Sequence, residues 1–393
     1  MTPKRVVVLG ATGSVGRTAL AVISEHPELF SVEALVAGQD VDALAQLARA
    51  YHPKMVAIAD EAGALALKTA LSGTGIATGA GAQAVIDAAC IDCDIVVAGI
   101  VGTSGLLPTF AAVKQGRTIA LANKECLVCA GEAFMAGAGH YGARILPLDS
   151  EHNALFQVLD GQDKQFVTKM TLTASGGPFR NWSKDAIDSA TVEQALAHPN
   201  WSMGPKITID SASMMNKGLE LIEAHHIFGM PAERLDVLIH PQSIIHGLIS
   251  FADGSVSAGM AMPDMRVPTA HCLAYPERIG SGVVPLDLAA IGQLTFERPD
   301  LVRFPALALA HQALAAGGVM PAVMNAANEV AVHTFLKGQC AFGAISDIVA
   351  AVMERAVGWT IGESSIERYL AADLDARRIA HNIISDYATL RLQ

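Results

Sequence analysis

The chain has 393 residues, enough for two or three domains of roughly 150 residues each. Its 27 Lys and Arg against 38 Asp and Glu give a formal charge of −11, which argues against a nucleic-acid or anionic-membrane protein, since either needs a basic face. Apolar residues at 51% and charged residues at 17% exclude disorder, and aromatics at 5% leave Ala, Val, Leu and Ile to fill a core of the layered α/β kind.

In chain order, Lys4 and Arg5 precede only four apolar residues before Gly10, too short for a signal-peptide core of about 7–15 residues, so the expected compartment is the cytoplasm. Val6–Leu9 reads as a buried strand, Ser14 to Ile23 as a helix, Val32–Val36 as a second strand, Val41 to Ala50 as a helix and Met55–Ile58 as a third strand. Ile95–Val97, Thr118–Leu121 and Arg144–Leu146 continue the series, which predicts βαβ units on a mainly parallel, Rossmann-like sheet over residues 1–148. The uncharged run Ile95 to Val113 holds Gly99, Gly102, Gly105 and Pro108, a turn cluster that a spanning helix of about 20 residues would not carry at its centre. After Asp149 strands (Phe166 to Ala174, Val237 to Ile239, Ser243 to Phe251, Ser255 to Met260) mix with helices, one from about Ser213 to Phe228, predicting an α+β domain over 149–275. Residues 276–303 read as a linker, and 304–393 as a C-terminal helical bundle with helices over 307–316, 319–337, 345–356 and 364–384.

Six cysteines include two CxxC pairs, at Cys90 and Cys93 and at Cys126 and Cys129. Both lie in apolar strand or helix patterns without the turn-rich knuckle that wraps a zinc ion, so they read as packing thiols, with no disulfides expected.

Gly10-Ala-Thr-Gly13-Ser-Val-Gly16 follows the first strand and opens the first helix. Glycines there allow a tight turn and bring a pyrophosphate to the free N–H groups and positive dipole end of the helix, which points to a dinucleotide. At the end of the second strand Gly38, Gln39 and Asp40 offer neither an acid directly at the strand end nor a cation for a 2′-phosphate.

Asp149-Ser150-Glu151-His152 lies past the last strand of that sheet. Its carboxylates suit either a helix start or a hard cation. Asn216 and Glu220 share one helical face, and Glu220 would complete an all-oxygen site for Mg²⁺ or Mn²⁺. Ala174-Ser175-Gly176-Gly177 offers a hydroxyl and bare N–H groups, and Ser211, Asn216 and Lys217 add a hydroxyl, an amide and a point charge, a set suited to phosphate. His198-Pro-Asn-Trp201-Ser-Met203-Gly204 is apolar in a Pro- and Gly-bounded loop, either packed on the core or a lid over a ligand. His225 and His226 read as structural.

Together GATGSVG, LANKE (121–125), PLDSEH (147–152), ASGGPF (174–179), HPNWSMG (198–204), MNKGLE (215–220), HPQSIIH (240–246), PDMR (263–266) and NAANE (325–329) resemble the 1-deoxy-D-xylulose 5-phosphate reductoisomerase family, in order over nearly the whole chain. The resemblance implies NADPH- and divalent-metal-dependent rearrangement and reduction of a sugar phosphate to 2-C-methyl-D-erythritol 4-phosphate, for isoprenoid precursors. It implies Asp149, Glu151 and Glu220 as metal ligands, and Lys124, Glu151 and His198 as the catalytic group. Ser150, Ser175, Ser211, Asn216 and Lys217 would contact substrate, with Trp201, Ser243 and Met265 lining the pocket and a flap at 197–205. Thr12, Gly13, Ser14, Val15, Gly38, Gln39, Asn123, Glu125 and Gly204 match cofactor positions. Some members carry Lys-Asn where this chain has Gln39-Asp40, which removes a cation near the 2′-phosphate. The implied assembly is a homodimer. The rival readings are a semialdehyde-type dehydrogenase, which needs a nucleophile among Cys126, Cys129 and Cys272, and a non-enzymatic NADP-sensing protein, which has no use for the three carboxylates.

Overall fold

The computed structural model describes residues 2–198, 204–359, 362 and 364–390. The chain forms two compact units: Met1–Cys126, Phe134–Asn153 and Asp264–Val284 make the first, and Leu127–Ala133, Ala154–Pro263 and Pro285–Gln393 the second.

The first unit alternates strand and helix: β1 (Lys4–Leu9), α1 (Ser14–Glu25), β2 (Phe30–Ala37), α2 (Val41–Tyr51), β3 (Met55–Ile58), α3 (Ala64–Ala70), β4 (Ala77–Ala80), α4 (Gly81–Ala89), β5 (Ile95–Ala98), α5 (Leu106–Lys114), β6 (Thr118–Leu121), α6 (Glu125–Tyr141) and β7 (Arg144–Pro147). The seven strands pair in parallel in the order β4-β3-β2-β1-β5-β6-β7. Val6, Val7, Val8 and Leu9 are fully buried at the centre of this sheet, which is why β1 is a continuous β-branched and Leu run rather than an alternating one. Each such burial contributes roughly 1.5–3 kcal/mol. Helix α2 starts at Asp40, whose carboxylate accepts from the Ala43 N–H at 2.9 Å, a cap worth about 1 kcal/mol. Strand β4 was not expected from the sequence: Ala-Thr-Gly-Ala carries no apolar run, and only pairing with β3 makes it a strand. Helix α6 is broken at Ala130 (φ −138°, ψ 31°), and it is in this region that the chain enters the second unit.

Helix α7 (Ser150–Leu159) begins in the first unit and continues in the second. There follow β8 (Val167–Ala174), α8 (Lys184–Asp188), α9 (Val192–Leu196), α10 (Pro205–Ser213), α11 (Met215–Phe228), β9 (Leu235–Ile239), β10 (Ile245–Phe251) and β11 (Val256–Met260). These strands form one mixed sheet, β11-β10-β8-β9, in which β8 and β9 are parallel and the other pairs antiparallel. The expected helix from Ser213 starts two residues later, because Met214 is left-handed (φ 64°) and divides α10 from α11. Periodicity cannot show a single left-handed residue.

Helix α12 (Arg266–Ala274) belongs to the first unit, where the Lys4 ammonium donates to the carbonyls of Leu273, Ala274 and Tyr275 at 3.3, 2.8 and 2.9 Å. Residues 276–303 are mostly irregular, with a short α13 (Leu288–Ile291) and a bridge joining Glu297 to Ile239. The second unit ends in four helices: α14 (Pro305–Ala316), α15 (Met320–Leu336), α16 (Ala344–Arg355) and α17 (Ile366–Leu390). Helix α15 packs against the other three and is buried on almost every side, as its Ala- and Val-rich sequence requires. Among the described residues no helix is long and apolar enough to cross a membrane.

Candidate active site

In the first unit the strand order reverses between β1 and β5, so their carboxyl ends open a crevice of the kind where α/β sheets hold nucleotides. Gly10 ends β1 with φ +82°, and a Cβ there would lie 2.6 Å from the Gly99 carbonyl oxygen after β5, so the crevice floor admits only glycine. Gly13 is the N-cap of α1 and offers no side-chain cap, which leaves the first N–H groups of the helix, around Ser14 and Val15, for an anion. Thr12 lies in the same turn. Gly38, Gln39 and Asp40 are exposed beyond β2, and a Cβ on Gly38 would meet open space. Asp40 is engaged as the cap of α2.

After β6, Asn123, Lys124 and Glu125 are all buried. Asn123 donates to the Gly102 carbonyl at 2.9 Å and also to that of Ile100, tying the β6 end to the β5 loop. The Lys124 ammonium pairs with Asp149 at 2.5 Å. Ser150 donates to Glu151 at 2.5 Å at the start of α7. Asn153 holds this corner: its amide donates to the Pro147 carbonyl at 2.9 Å and lies 3.0 Å from His271 Nδ1 on α12. Sequence reasoning passed over Asn153, although it sits just past the quoted PLDSEH stretch. Met265 caps α12 beside the Asp264–Arg266 pair, whose guanidinium holds the Asp264 carboxyl below the usual carboxylate range. Cys272 is fully buried on the same helix, and burial pushes its thiol well above the ordinary value, the opposite of an activated nucleophile.

In the second unit the turn after β8 places Ser175 Oγ 3.3 Å from His198 Nε2, with the Gly177 N–H donating to the same hydroxyl at 3.2 Å. Burial lowers the His198 pKa, which keeps the ring neutral at neutral pH and leaves it one donor and one acceptor. Helix α11 carries Asn216, Lys217 and Glu220 as the spacing predicts. The Asn216 amide donates to Glu220 Oε1 at 2.5 Å, and the Lys217 ammonium pairs with Oε2. Glu220 is 1% exposed and Lys217 4%, a carboxylate whose burial is tolerable only through such donors. Ser211 lies in the last turn of α10. Ser243 is buried with left-handed backbone (φ 52°), a strain that a loop bears where its shape is dictated by what it surrounds. Gly204 is the N-cap of α10, while Trp201 and Met203 lie outside the described residues, so the flap at 197–205 is seen only at its ends.

The donors fit a hard divalent cation: Asp149, Glu151 and Glu220 offer only carboxylate oxygens, without thiol or imidazole among them. Asp149 pairs with Lys124, and the buried Glu220 with Lys217.

The sequence profile described as 1-deoxy-D-xylulose 5-phosphate reductoisomerase matches residues 6–131, and profiles for C-terminal domains of the same family match 145–228 and 260–379. Curated proteins named 1-deoxy-D-xylulose 5-phosphate reductoisomerase are similar over nearly their whole length: one from Bradyrhizobium sp. strain BTAi1 is 52% identical over 98% of this chain and 95% of its own. Another, from Rhodopseudomonas palustris strain BisB18, is likewise 52% identical over 98% and 95%. The Zymomonas mobilis enzyme of that name, solved in complex with NADPH, matches with a TM-score of 0.92 and 43% identity, covering 97% of this chain and 99% of that one. A DOX-P reductoisomerase solved with NADPH, fosmidomycin and magnesium matches with a TM-score of 0.92 and 41% identity, covering 97% and 98%. Sheet order, glycine turn and buried carboxylates thus sit on a chain alike from end to end, and this protein belongs to the 1-deoxy-D-xylulose 5-phosphate reductoisomerase family.

Proposed function

We propose that this chain catalyses its family's reaction, the NADPH- and divalent-cation-dependent rearrangement and reduction of 1-deoxy-D-xylulose 5-phosphate to 2-C-methyl-D-erythritol 4-phosphate. The carrying observation is 52% identity over 98% of the chain to enzymes of that name. Asp149, Glu151 and Glu220 would hold the Mg²⁺ or Mn²⁺ ion, which when bound would supply Lewis acidity toward the substrate's oxygens. Lys124 steadies negative charge developing on the substrate. Ser175, Ser211, Asn216, Lys217 and the neutral His198 take the phosphate and hydroxyl groups, so that binding energy remote from the reacting carbons orients them. Ser150, Ser243, Met265 and Trp201 complete the substrate contacts.

Thr12, Gly13, Ser14 and Val15, with Gly38, Gln39, Asn123, Glu125 and Gly204, would hold the NADPH, which when bound would supply the hydride. Support comes from the strand-order reversal and the uncapped α1 N-terminus. The enzyme works in the cytoplasm as a homodimer. The edge strand β11 supports self-association, since Val256 is 57% exposed and Met260 37%. Following NADPH absorbance with the sugar phosphate and Mg²⁺ tests the reading: oxidation is expected with the ion and none after chelation. Chelator-insensitive turnover, or no turnover at all, rejects it.

A further inference from the structure

The NAANE stretch has no part in the proposed chemistry, yet its polar side chains are among the most buried in the molecule. It lies in the middle of α15, where Asn325 and Asn328 are both 0% exposed. A helix core made of Ala, Val and Met gains nothing from two buried amides, and each costs about 1–3 kcal/mol unless satisfied. Asn328 offsets part of that cost by donating from Nδ2 to Asp210 Oδ1 at 2.8 Å. Asp210 is itself 1% exposed, and its other oxygen pairs with the Lys206 ammonium at 2.8 Å.

Both Asp210 and Lys206 belong to α10, a nine-residue helix without a side-chain cap. A helix of that length holds its position only through tertiary contacts. The residue after Asp210 is Ser211, assigned above to the substrate. The Ser211 carbonyl ends α10 by accepting from the Met214 N–H at 3.2 Å, and a Cβ built on Gly177 of the β8 turn would lie 2.8 Å from the same carbonyl oxygen. The end of α10 is therefore wedged against the Ser175 turn on one side and tied to α15 through Asp210.

We propose that Asn328 is a positioning residue for binding of the substrate phosphate: it clamps Asp210, and through the α10 backbone this fixes where Ser211 presents its hydroxyl beside Ser175. The C-terminal bundle then serves as the rigid base of the phosphate site as well as a packing domain. This rests on the reading of Ser175 and Ser211 under the proposed function, and it commits the Asn328 amide to acting through Asp210.

The test uses the full chain and three variants: Asn328→Ala, Asn328→Asp, and the exchange Asp210→Asn with Asn328→Asp, which restores one amide and one carboxylate in contact. Steady-state kinetics with the sugar phosphate are read together with NADPH affinity by fluorescence. Asn328→Ala is expected to raise the KM for the sugar phosphate about tenfold, the loss of one hydrogen bond to a buried charge, with kcat within about threefold and NADPH affinity unchanged. Asn328→Asp sets two carboxylates face to face, and its KM should rise further as pH increases. The exchange should return KM to within about threefold of the parent. An unchanged KM in Asn328→Ala, or an exchange no better than the single variants, overturns the proposal. Loss of NADPH binding in all three also overturns it, since Asn328 is then a folding residue only. A parent chain that does not turn over the sugar phosphate rejects instead the functional reading beneath it.

Discussion

Glu220 shows how a single side chain can be read from its donors. At 1% exposure it takes one hydrogen bond from Asn216 and an ion pair from Lys217, both within one turn of α11. Replacing it by Gln keeps the shape and removes the charge. Glu220→Gln is expected to lower kcat at least about a hundredfold and to weaken Mg²⁺ dependence, with NADPH affinity within about twofold. Kinetics over a Mg²⁺ titration check this, and near-parental turnover would remove Glu220 from the ligand set. His226, near the other end of the same helix, answers to burial instead. Burial and then the neighbouring His225 charge hold it at about 4 against an ordinary 6.5. The unfolded chain takes up that proton first, so the stability His226 contributes is complete above pH 6.5 and is lost as pH falls through about 4. Tm should therefore fall more between pH 7 and pH 5 in the parent than in His226→Gln; equal falls would mean the ring is protonated in the folded state.

At the scale of elements, α11 owes its position to a glycine inside the very motif that carries the polar residues. A Cβ at Gly218 would lie 2.4 Å from the Ala310 Cβ of α14, so the two helices meet at a distance that only glycine permits. Gly218→Ala should cost about 1–3 kcal/mol through overpacking, seen as a Tm several degrees lower, and raise the KM for the sugar phosphate, because Asn216 and Lys217 ride on the displaced helix. An unchanged Tm would show that the helices separate without strain. The spacing of Asn216, Lys217 and Glu220 on α11 was legible in sequence because a helix repeats every 3.6 residues. The break at Met214 and the strand β4 were not, since one follows from a single left-handed residue and the other from pairing alone.

For the whole molecule, the exposed edge β11 is where a second copy is expected to add. Val256→Lys with Met260→Lys should shift the chain from dimer to monomer in sedimentation velocity, since charges on an edge strand oppose strand addition. A parent that sediments as a monomer would refute the homodimer. What the sequence determined alone is whatever repeats locally or chemically: the parallel α/β series, the glycine turn after β1, the helical end of the chain, and the kinds of donor that suit a hard cation, a phosphate and a dinucleotide. Only tertiary structure decided that β1 and β5 adjoin at the strand-order reversal, that α12 returns to the first unit under the Lys4 ammonium, and that Asn328 reaches Asp210 across 118 residues. The reason is physical: periodicity and turn chemistry are set by neighbours along the chain, whereas the partner of a buried charge or a close-packed glycine is chosen by distance in space, which the order of residues does not encode locally.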